Sequence, residues 1–279
     1  MADISRPTLP ESISADIWAK TLEESAVMRL ARRIELPGNG LAIPVITGEP
    51  QADWVEETGT KPVSNSTVGI KTMQPYKLAV IETVSKELMD DMPRLYNALR
   101  ERLPFALANK FDATVFGTTA PGSNFDVLGN ATAVALGTDV YGALVTVDGN
   151  IANAGGVMDG IVMSPQGKTK LLGATDQAKR PLFIDTVANS TIPTILGAPV
   201  TYSRGVYAAG SPAQLGFAGD WTHAMYGTVA GIEIAVSDQA TLGTGDDAIN
   251  LWQRNMVGIR AEVRIGFVAD TAYFQKITA

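Results

Sequence analysis

The sequence predicts an α+β fold, rich in turns and organised around one long helix, and three observations predict it. Twenty-seven glycines and fifteen prolines are spread along all 279 residues, which requires many turns and short strands and not one low-complexity segment. Leu95, Leu99, Leu103, Ala106, Phe111 and Val115 recur three to five residues apart and line one helical stripe. Elsewhere apolar and polar residues alternate at strand period, as in Tyr76, Leu78 and Val80 and again in Ile259, Ala261, Val263 and Ile265.

Composition fits a packed chain, with 46% hydrophobic and 18% charged residues, and the length admits one large domain or two modest ones. There is no cysteine, which excludes disulfides, thiolate nucleophiles and Cys-ligated metals. A net charge of −7, without any long Lys/Arg run, argues against tight nucleic-acid binding by the whole surface. The densest basic cluster, Arg29, Arg32 and Arg33, is expected on a solvated helix face with at most weak contact to DNA. The opening MADISRPTLPES lacks the basic and apolar regions of a secretory signal, and no stretch approaches the ~20 apolar residues that span a bilayer. A soluble product made in the cytoplasm, without membrane contact, is expected.

Residues 1–12 are polar and interrupted by proline, which suggests an extended arm that orders only against something else. After Ser14 the row Trp18, Leu22, Ala26, Leu30 and Ile34 predicts a helix ending near Arg33, and Pro37-Gly38-Asn39-Gly40 breaks it. From Leu41 to Thr83 the chain reads as two extended limbs, with Tyr76, Leu78, Val80 and Val84 alternating in the second. The tip Thr58-Gly59-Thr60-Lys61-Pro62 lies between Glu56, Glu57 and Ser64-Asn65-Ser66. A long polar hairpin of this kind is marginal alone in water, so it must lie on another surface, and a neighbouring subunit is the expected bed.

Ser85 opens a short helical turn, and Asp91 with Pro93 then starts the long helix, which would run ~36 Å to Phe116 with a kink at Pro104. Between Ala131 and Asn250 helical and strand signals alternate. A helix is predicted around Val140, Tyr141, Leu144 and Val145, a buried strand over Val157 to Met163, and a helix capped by Ser164-Pro165 running to Leu172. Strands follow at Pro199 to Tyr202, Leu215 to Ala218 and Ile232 to Val236, so this stretch reads as an inserted α/β domain. Met256 to Ile277 reads as a β-hairpin returning beside the long helix.

Four segments, in this order and spacing, resemble the major capsid proteins of tailed bacteriophages. They are Trp54-Val55-Glu56-Glu57 leading through Lys77-Leu78-Ala79 to Val84-Ser85-Lys86-Glu87-Leu88-Met89; Ala108-Asn109-Lys110-Phe111-Asp112 to Gly117; Leu196-Gly197-Ala198-Pro199-Val200 with Gly216-Phe217-Ala218-Gly219-Asp220-Trp221; and Gln253-Arg254-Asn255 through Arg260, Arg264 and Gly266. The resemblance implies a Hong-Kong-97-like fold. Its parts would be an N-terminal arm (1–36), an extended loop (37–84), a peripheral domain with a spine helix (85–130 and 251–279) and an axial domain (131–250). It also implies hexamers and pentamers that tile an icosahedral head around double-stranded DNA, with a portal and with or without scaffold or cement proteins, assembled in the host cytoplasm as part of the virion. Expected contacts between subunits are Trp54, Glu56, Glu57 and Lys61 on the loop and Trp18, Arg29, Arg32 and Arg33 on the arm.

Many relatives carry a long cleaved scaffolding segment before the family pattern. Here that pattern starts within the first twenty residues, so a separate scaffold or none is expected. Some relatives crosslink a loop lysine to a neighbour's asparagine with help from a buried glutamate. Lys61 has no such partners that can be placed in this sequence, and it is expected as a solvated tip charge.

No enzyme site assembles. The single histidine, His223, follows Asp220 and Trp221, but no serine sits in a nucleophile-elbow setting, so a structural role is expected. Gly167-Lys168-Thr169 resembles the end of a phosphate loop, yet the required upstream glycine position is Val162. Gly243-Thr244-Gly245-Asp246-Asp247 lacks the spaced ligands of a calcium loop and reads as a solvated turn. No catalytic residue, cofactor or metal is therefore expected. Two other readings are a bacterial encapsulin-like compartment, which shares the subunit fold but houses cargo enzymes, and an α/β enzyme.

Overall fold

The computed structural model describes residues 11–46, 54, 55, 57, 68–87, 92–176, 179–183, 194–243 and 248–279. Two sheets and the long helix organise it, beside a small separate pair, β12 (Thr241–Leu242) and β13 (Ile249–Asn250). The first sheet runs β1 (Arg32–Glu35), β10 (Ala224–Thr228), β14 (Met256–Ala269), β11 (Glu233–Ser237), and β4 (Tyr76–Ser85) also pairs with β14. The second runs β5 (Thr132–Ala135), β15 (Phe274–Thr278), β9 (Gln214–Gly219), β6 (Gly160–Met163), β8 (Ala198–Tyr202), β7 (Thr194–Ile195). Its two innermost strands, β6 and β9, are buried at every residue, as strands covered on both faces must be.

The helix α3 (Met92–Val115) spans 24 residues and continues through Pro104. Leu103, Leu107, Phe111 and Val115 repeat every four residues and are all buried, which docks one stripe of the helix on the core. The predicted stripe included Ala106, which is exposed; Leu107 and Ala108 take the inward positions because the buried row follows the four-residue repeat. At the C-terminal end of this helix the core reaches both sheets. Phe111 meets Phe267 of β14 edge-on at 6.5 Å, while Phe116 stacks on Phe217 of β9 at 5.0 Å. Trp221 sits beside Phe116 and edge-on to Phe274 of β15 at 5.3 Å, with its indole N–H donating to the Gly160 carbonyl. Such ring pairs add about 0.5–1.5 kcal/mol each beyond their buried area.

A second cluster fills the other side of the six-stranded sheet. Val140, Leu144, Val147 and Ile151 of α4 (Val140–Asn153) pack with Ile161, Ala218 and Ile277 from the strands. The predicted Ser164 cap holds: its Oγ accepts from the Gly167 N–H at 3.0 Å and starts α5 (Pro165–Leu172). Gly167 and Lys168 are thus helix-start residues and not a phosphate cradle. Val157, expected in the buried strand, is exposed and precedes it, since β6 starts at Gly160; Tyr141 and Val145 are exposed on α4.

Several expectations change. The predicted helix from Ser14 to Arg33 is three elements: α1 (Glu11–Glu24), α2 (Ala26–Leu30) and β1. Ser25 caps α2 and interrupts the first helix, and Ala31 turns the backbone extended at φ −77°, ψ 151°. Arg32 and Arg33 therefore lie on a strand, paired in parallel with Met225 and Tyr226, and only Arg29 lies on a helix. Residues beyond Asp16 that were expected in an arm contribute Ile17, Ala26, Val27, Met28 and Ala31 to the subunit's own core.

The second limb of the extended loop is β3 (Val68–Met73), antiparallel to β2 (Leu41–Ile46). The alternating Tyr76–Val84 stretch is a separate strand in the first sheet, in register with β14 from Tyr76↔Ile265 to Ser85↔Met256. The expected hairpin over Met256 to Ile277 is absent: β14 and β15 lie in different sheets. Likewise β10 and β11, expected in the inserted domain, belong to the first sheet with β14.

Candidate assembly surfaces

The ribbon β2/β3 forms a two-stranded sheet of its own, and its root is fastened to the body. Met73 is fully buried with Leu36 and Val268, and Ile34, Ile43, Met225 and Val229 pack around them. Two glycines make room for this contact. Gly227 and Gly266 face each other across the β10/β14 ladder, and a Cβ on Gly266 would lie 2.7 Å from the Gln74 carbonyl and 2.8 Å from Met73 Cγ.

A polar tie adds direction. Lys71 Nζ, on β3, donates to Asp126 Oδ2 at 3.1 Å and to the Ala269 carbonyl at 2.7 Å, and the Ala269 N–H donates to the same carboxylate oxygen at 3.1 Å. Asp126 is fixed in turn by its own N–H, which donates to the Phe267 carbonyl at 3.0 Å. One lysine thus links the ribbon to the end of β14.

Beyond the root, several of the described side chains of this segment are exposed. Ile70 is 74% exposed, Ala42, Pro44 and Thr72 are exposed, and Trp54 is fully exposed. Glu57 is exposed as well, whereas Glu56 and Lys61 lie outside the described residues. Exposed apolar side chains on a two-stranded ribbon, which is marginal by itself, leave a surface open to a partner.

The expected arm residues divide by burial. Trp18 is half-buried on α1 against the main core, while Arg29, Arg32 and Arg33 are exposed. Arg29 ends the short helix α2, while Arg32 and Arg33 lie on β1 beside Ile34 and opposite Met225 and Tyr226, next to the cluster that seats the ribbon root.

Sequence reading missed the junction that holds these parts together. Asp112, on α3, is buried and accepts hydrogen bonds from Ser25 Oγ at 2.6 Å, Ser203 Oγ at 2.7 Å, the Ala26 N–H at 3.0 Å and the Val27 N–H at 3.4 Å. Burial raises the pKa of its carboxyl above the ordinary value, against the lowering effect of these donors. The carboxylate joins the start of α2, the long helix and the loop after β8. A signal was present: Asp112 stands one residue from Phe111 and three from Val115, a charge placed within the apolar stripe.

His223 does not form a catalytic pair. Its ring stacks on Tyr273 at 3.7 Å, and its Nδ1 lies 3.5 Å from Asp220 Oδ1. The Asp220 carboxylate instead caps the local turns, accepting from the N–H groups of Val157 and Thr222 at 3.1 Å each. Among the described residues no group of three or more His, Asp and Glu could hold a metal ion, and no helix is long and apolar enough to cross a membrane. The Gly243 to Asp247 turn falls largely outside the described residues.

A two-sheet body around a long helix, with a ribbon whose described outer residues are exposed, is an architecture open to contact with other chains. The model of the phage capsid family matches residues 6–279, and the chain belongs to that family. It is 30% identical to the probable major capsid protein gp17 of Mycobacterium phage L5, over 94% of this chain and 86% of that protein. Identity to the corresponding gp17 of Mycobacterium phage D29 is 28%, over 92% and 85%. A solved structure from Mycobacterium phage Adephagia superposes with a TM-score of 0.72 at 26% identity, covering 91% of this chain and 89% of that one. The capsid of a native GTA particle shares the fold alone, at TM-score 0.64 and 14% identity. The chain is a phage capsid protein: a non-enzymatic, structural part of the virion that forms an oligomeric shell.

Proposed function

We propose that copies of this chain form the hexamers and pentamers of an icosahedral head around double-stranded DNA, with the ribbon of each subunit lying on an adjacent copy. The observation that carries this reading is the exposure of Ile70 on a ribbon whose described contacts with its own body lie near its root, together with the exposure of Trp54. Burying such side chains is worth about 1.5–3 kcal/mol each, and a contact repeated at every subunit sums over the shell. In this reading the long helix is the spine of a peripheral domain, and the six-stranded sheet with α4 and α5 is the core of the axial domain. Trp54, Glu56, Glu57 and Lys61 then contact the neighbour, and Arg29, Arg32 and Arg33 offer guanidinium groups to an adjacent subunit or, weakly, to packaged DNA. A portal, and a separate scaffold or cement protein, would complete the particle.

Deleting 53–65 tests the reading. The shortened subunit should keep its fold by circular dichroism and its melting temperature, because the deletion spares the Met73 and Lys71 root, yet electron microscopy should show no closed particles. Normal particles from the deletion would overturn it.

A further inference from the structure

The chain crosses between the two sheets twice at one place, and the two crossings are built alike. One leaves β9 at Gly219 and enters β10 at Ala224 through a 3-10 turn, Trp221–His223; the other leaves β14 at Ala269 and enters β15 at Phe274 through a 3-10 turn, Thr271–Tyr273. Each turn follows an aspartate whose carboxylate accepts from the N–H two residues on, Asp220 from Thr222 at 3.1 Å and Asp270 from Ala272 at 3.2 Å. The two aspartate backbones agree as well, at φ −92°, ψ 100° and φ −95°, ψ 108°. The crossings run antiparallel, since Gly219 pairs with Phe274 at one end of them and Ala224 with Ala269 at the other. Between those pairs they bond reciprocally: the Asp220 N–H donates to the Tyr273 carbonyl at 3.1 Å, and the Asp270 N–H to the His223 carbonyl at 3.2 Å. The rings of His223 and Tyr273, the last residues of the two turns, stack at 3.7 Å with 11° between their planes.

We propose that these paired crossings are a rigid joint that sets the angle between the two sheets, with the His223–Tyr273 stack as its pin. A single crossing can pivot about the two soft torsions of each of its residues. Two crossings bonded to each other turn only together, and the stacked rings oppose sliding of one past the other. The segment before β6 closes the joint from a third side. The Val157 N–H donates to Asp220 Oδ2 at 3.1 Å, and Asp159 Oδ1 accepts from the Trp221 N–H at 2.8 Å. Gly156 lets this segment approach, since a Cβ there would lie 2.9 Å from Tyr273 Cδ1 and 3.3 Å from Asp220 Cβ. Beneath, Trp221 and Phe274 of the two crossings meet edge-on at 5.3 Å, and close packing of this kind holds discrete arrangements and not continuous play.

The absence of cysteine makes a direct test simple. Ile81→Cys on β4 and Tyr141→Cys on α4, at side chains 50% and 52% exposed, place one spin label on each side of the joint. Labelled copies diluted with unlabelled ones report the distance within one chain by double electron–electron resonance, so the outcome does not depend on the shell reading. The parent should give one narrow peak. Removing both rings, as His223→Ala with Tyr273→Ala, should broaden it about twofold or more, while circular dichroism stays that of the parent because both rings are half-buried. His223→Phe keeps a flat ring on Tyr273 and should keep the narrow peak, which separates the stack from any other role of the imidazole. A broad or split peak in the parent, an unchanged width after loss of both rings, or broadening in His223→Phe equal to that of the double variant each overturn the proposal.

Discussion

Ser25 Oγ donates a 2.6 Å hydrogen bond to Asp112 Oδ1, across 87 residues of sequence, while the same hydroxyl oxygen accepts from the Met28 N–H at 3.2 Å. One serine therefore caps a helix and solvates a buried carboxylate. Ser203, from the other sheet's connecting loop, meets the second carboxylate oxygen, so three distant parts of the chain converge on one side chain.

Breaking that junction should be costly. Asp112→Ala removes the acceptor from four donors, two of them backbone N–H groups at the start of α2. Leaving buried donors unpaired costs about 1–3 kcal/mol each at the outset, reduced by rearrangement. A destabilisation of about 3 kcal/mol or more in urea unfolding is expected, against about 1–2 kcal/mol for Ser25→Ala, which loses the cap and one donor.

Two aspartates should respond to pH with opposite sign. Asp112 is raised by burial, so the folded chain holds its proton more tightly than the unfolded chain does. Its contribution is present below the unfolded value of 3.8 and is lost as pH rises through the folded pKa. Asp220 is lowered: burial pushes it up, but hydrogen bonds from the Thr222 hydroxyl and the Val157 and Thr222 N–H groups, with His223 nearby, prevail. Its contribution is present above 3.8 and is lost as pH falls through the lowered value. The stability difference between the parent chain and Asp112→Asn should therefore shrink as pH rises above about 4, and that for Asp220→Asn should shrink as pH falls below it. Urea titrations across acidic pH check both slopes.

The ribbon root depends on a missing side chain. In Gly266→Ala the new Cβ meets the Gln74 carbonyl at 2.7 Å, a backbone atom that can yield only by moving β3's end. Overpacking of this kind costs about 1–3 kcal/mol, and hydrogen exchange at Met73 and Lys71 should rise more than exchange in the six-stranded sheet.

Lys71→Met tests the polar tie. Both partners are over a third exposed or nearly so, at 40% and 34%, so solvent screens the pair and the stability loss should stay near about 0.5–1 kcal/mol. The larger effect should fall on ribbon direction, read as a lower yield of closed particles at equal subunit concentration.

One substitution should stabilise. Leu196 has φ of +49° and precedes Gly197 at +86°, in the two-residue turn between β7 and β8. Both positions need the left-handed region, which a Leu side chain resists and Asn accepts. Leu196→Asn should raise the unfolding free energy of the subunit by about 0.5–1 kcal/mol, measured by urea denaturation.

The long helix, the helix from Val140 and the helix after Ser164 were legible because period and cap are local properties of the sequence. Strand alternation at Tyr76 to Val84 was equally legible, but alternation says only that one face is buried. It does not say which strand pairs alongside: β4 joins β14, whose residues 256–265 are far along the chain, while the limb it was assigned to is β3. Strands β11 and β15 were misplaced for the same reason. At the assembly surface, the sequence revealed a ribbon without its own core, yet hid the tie between Lys71 and Asp126, since nothing local links a strand lysine to a loop aspartate 55 residues on. The short helix after Ser25 was missed because an apolar row continued across a residue whose hydroxyl was already capping.

Strands β14 and β15 have a bearing on the order of events during synthesis. The first sheet has β14 at its centre, bonded to β4, β10 and β11, and the second has β15 between β5 and β9. Neither can close until residues 256–278 have been synthesised, and the seat of the ribbon, which includes Val268, is completed by that same late segment.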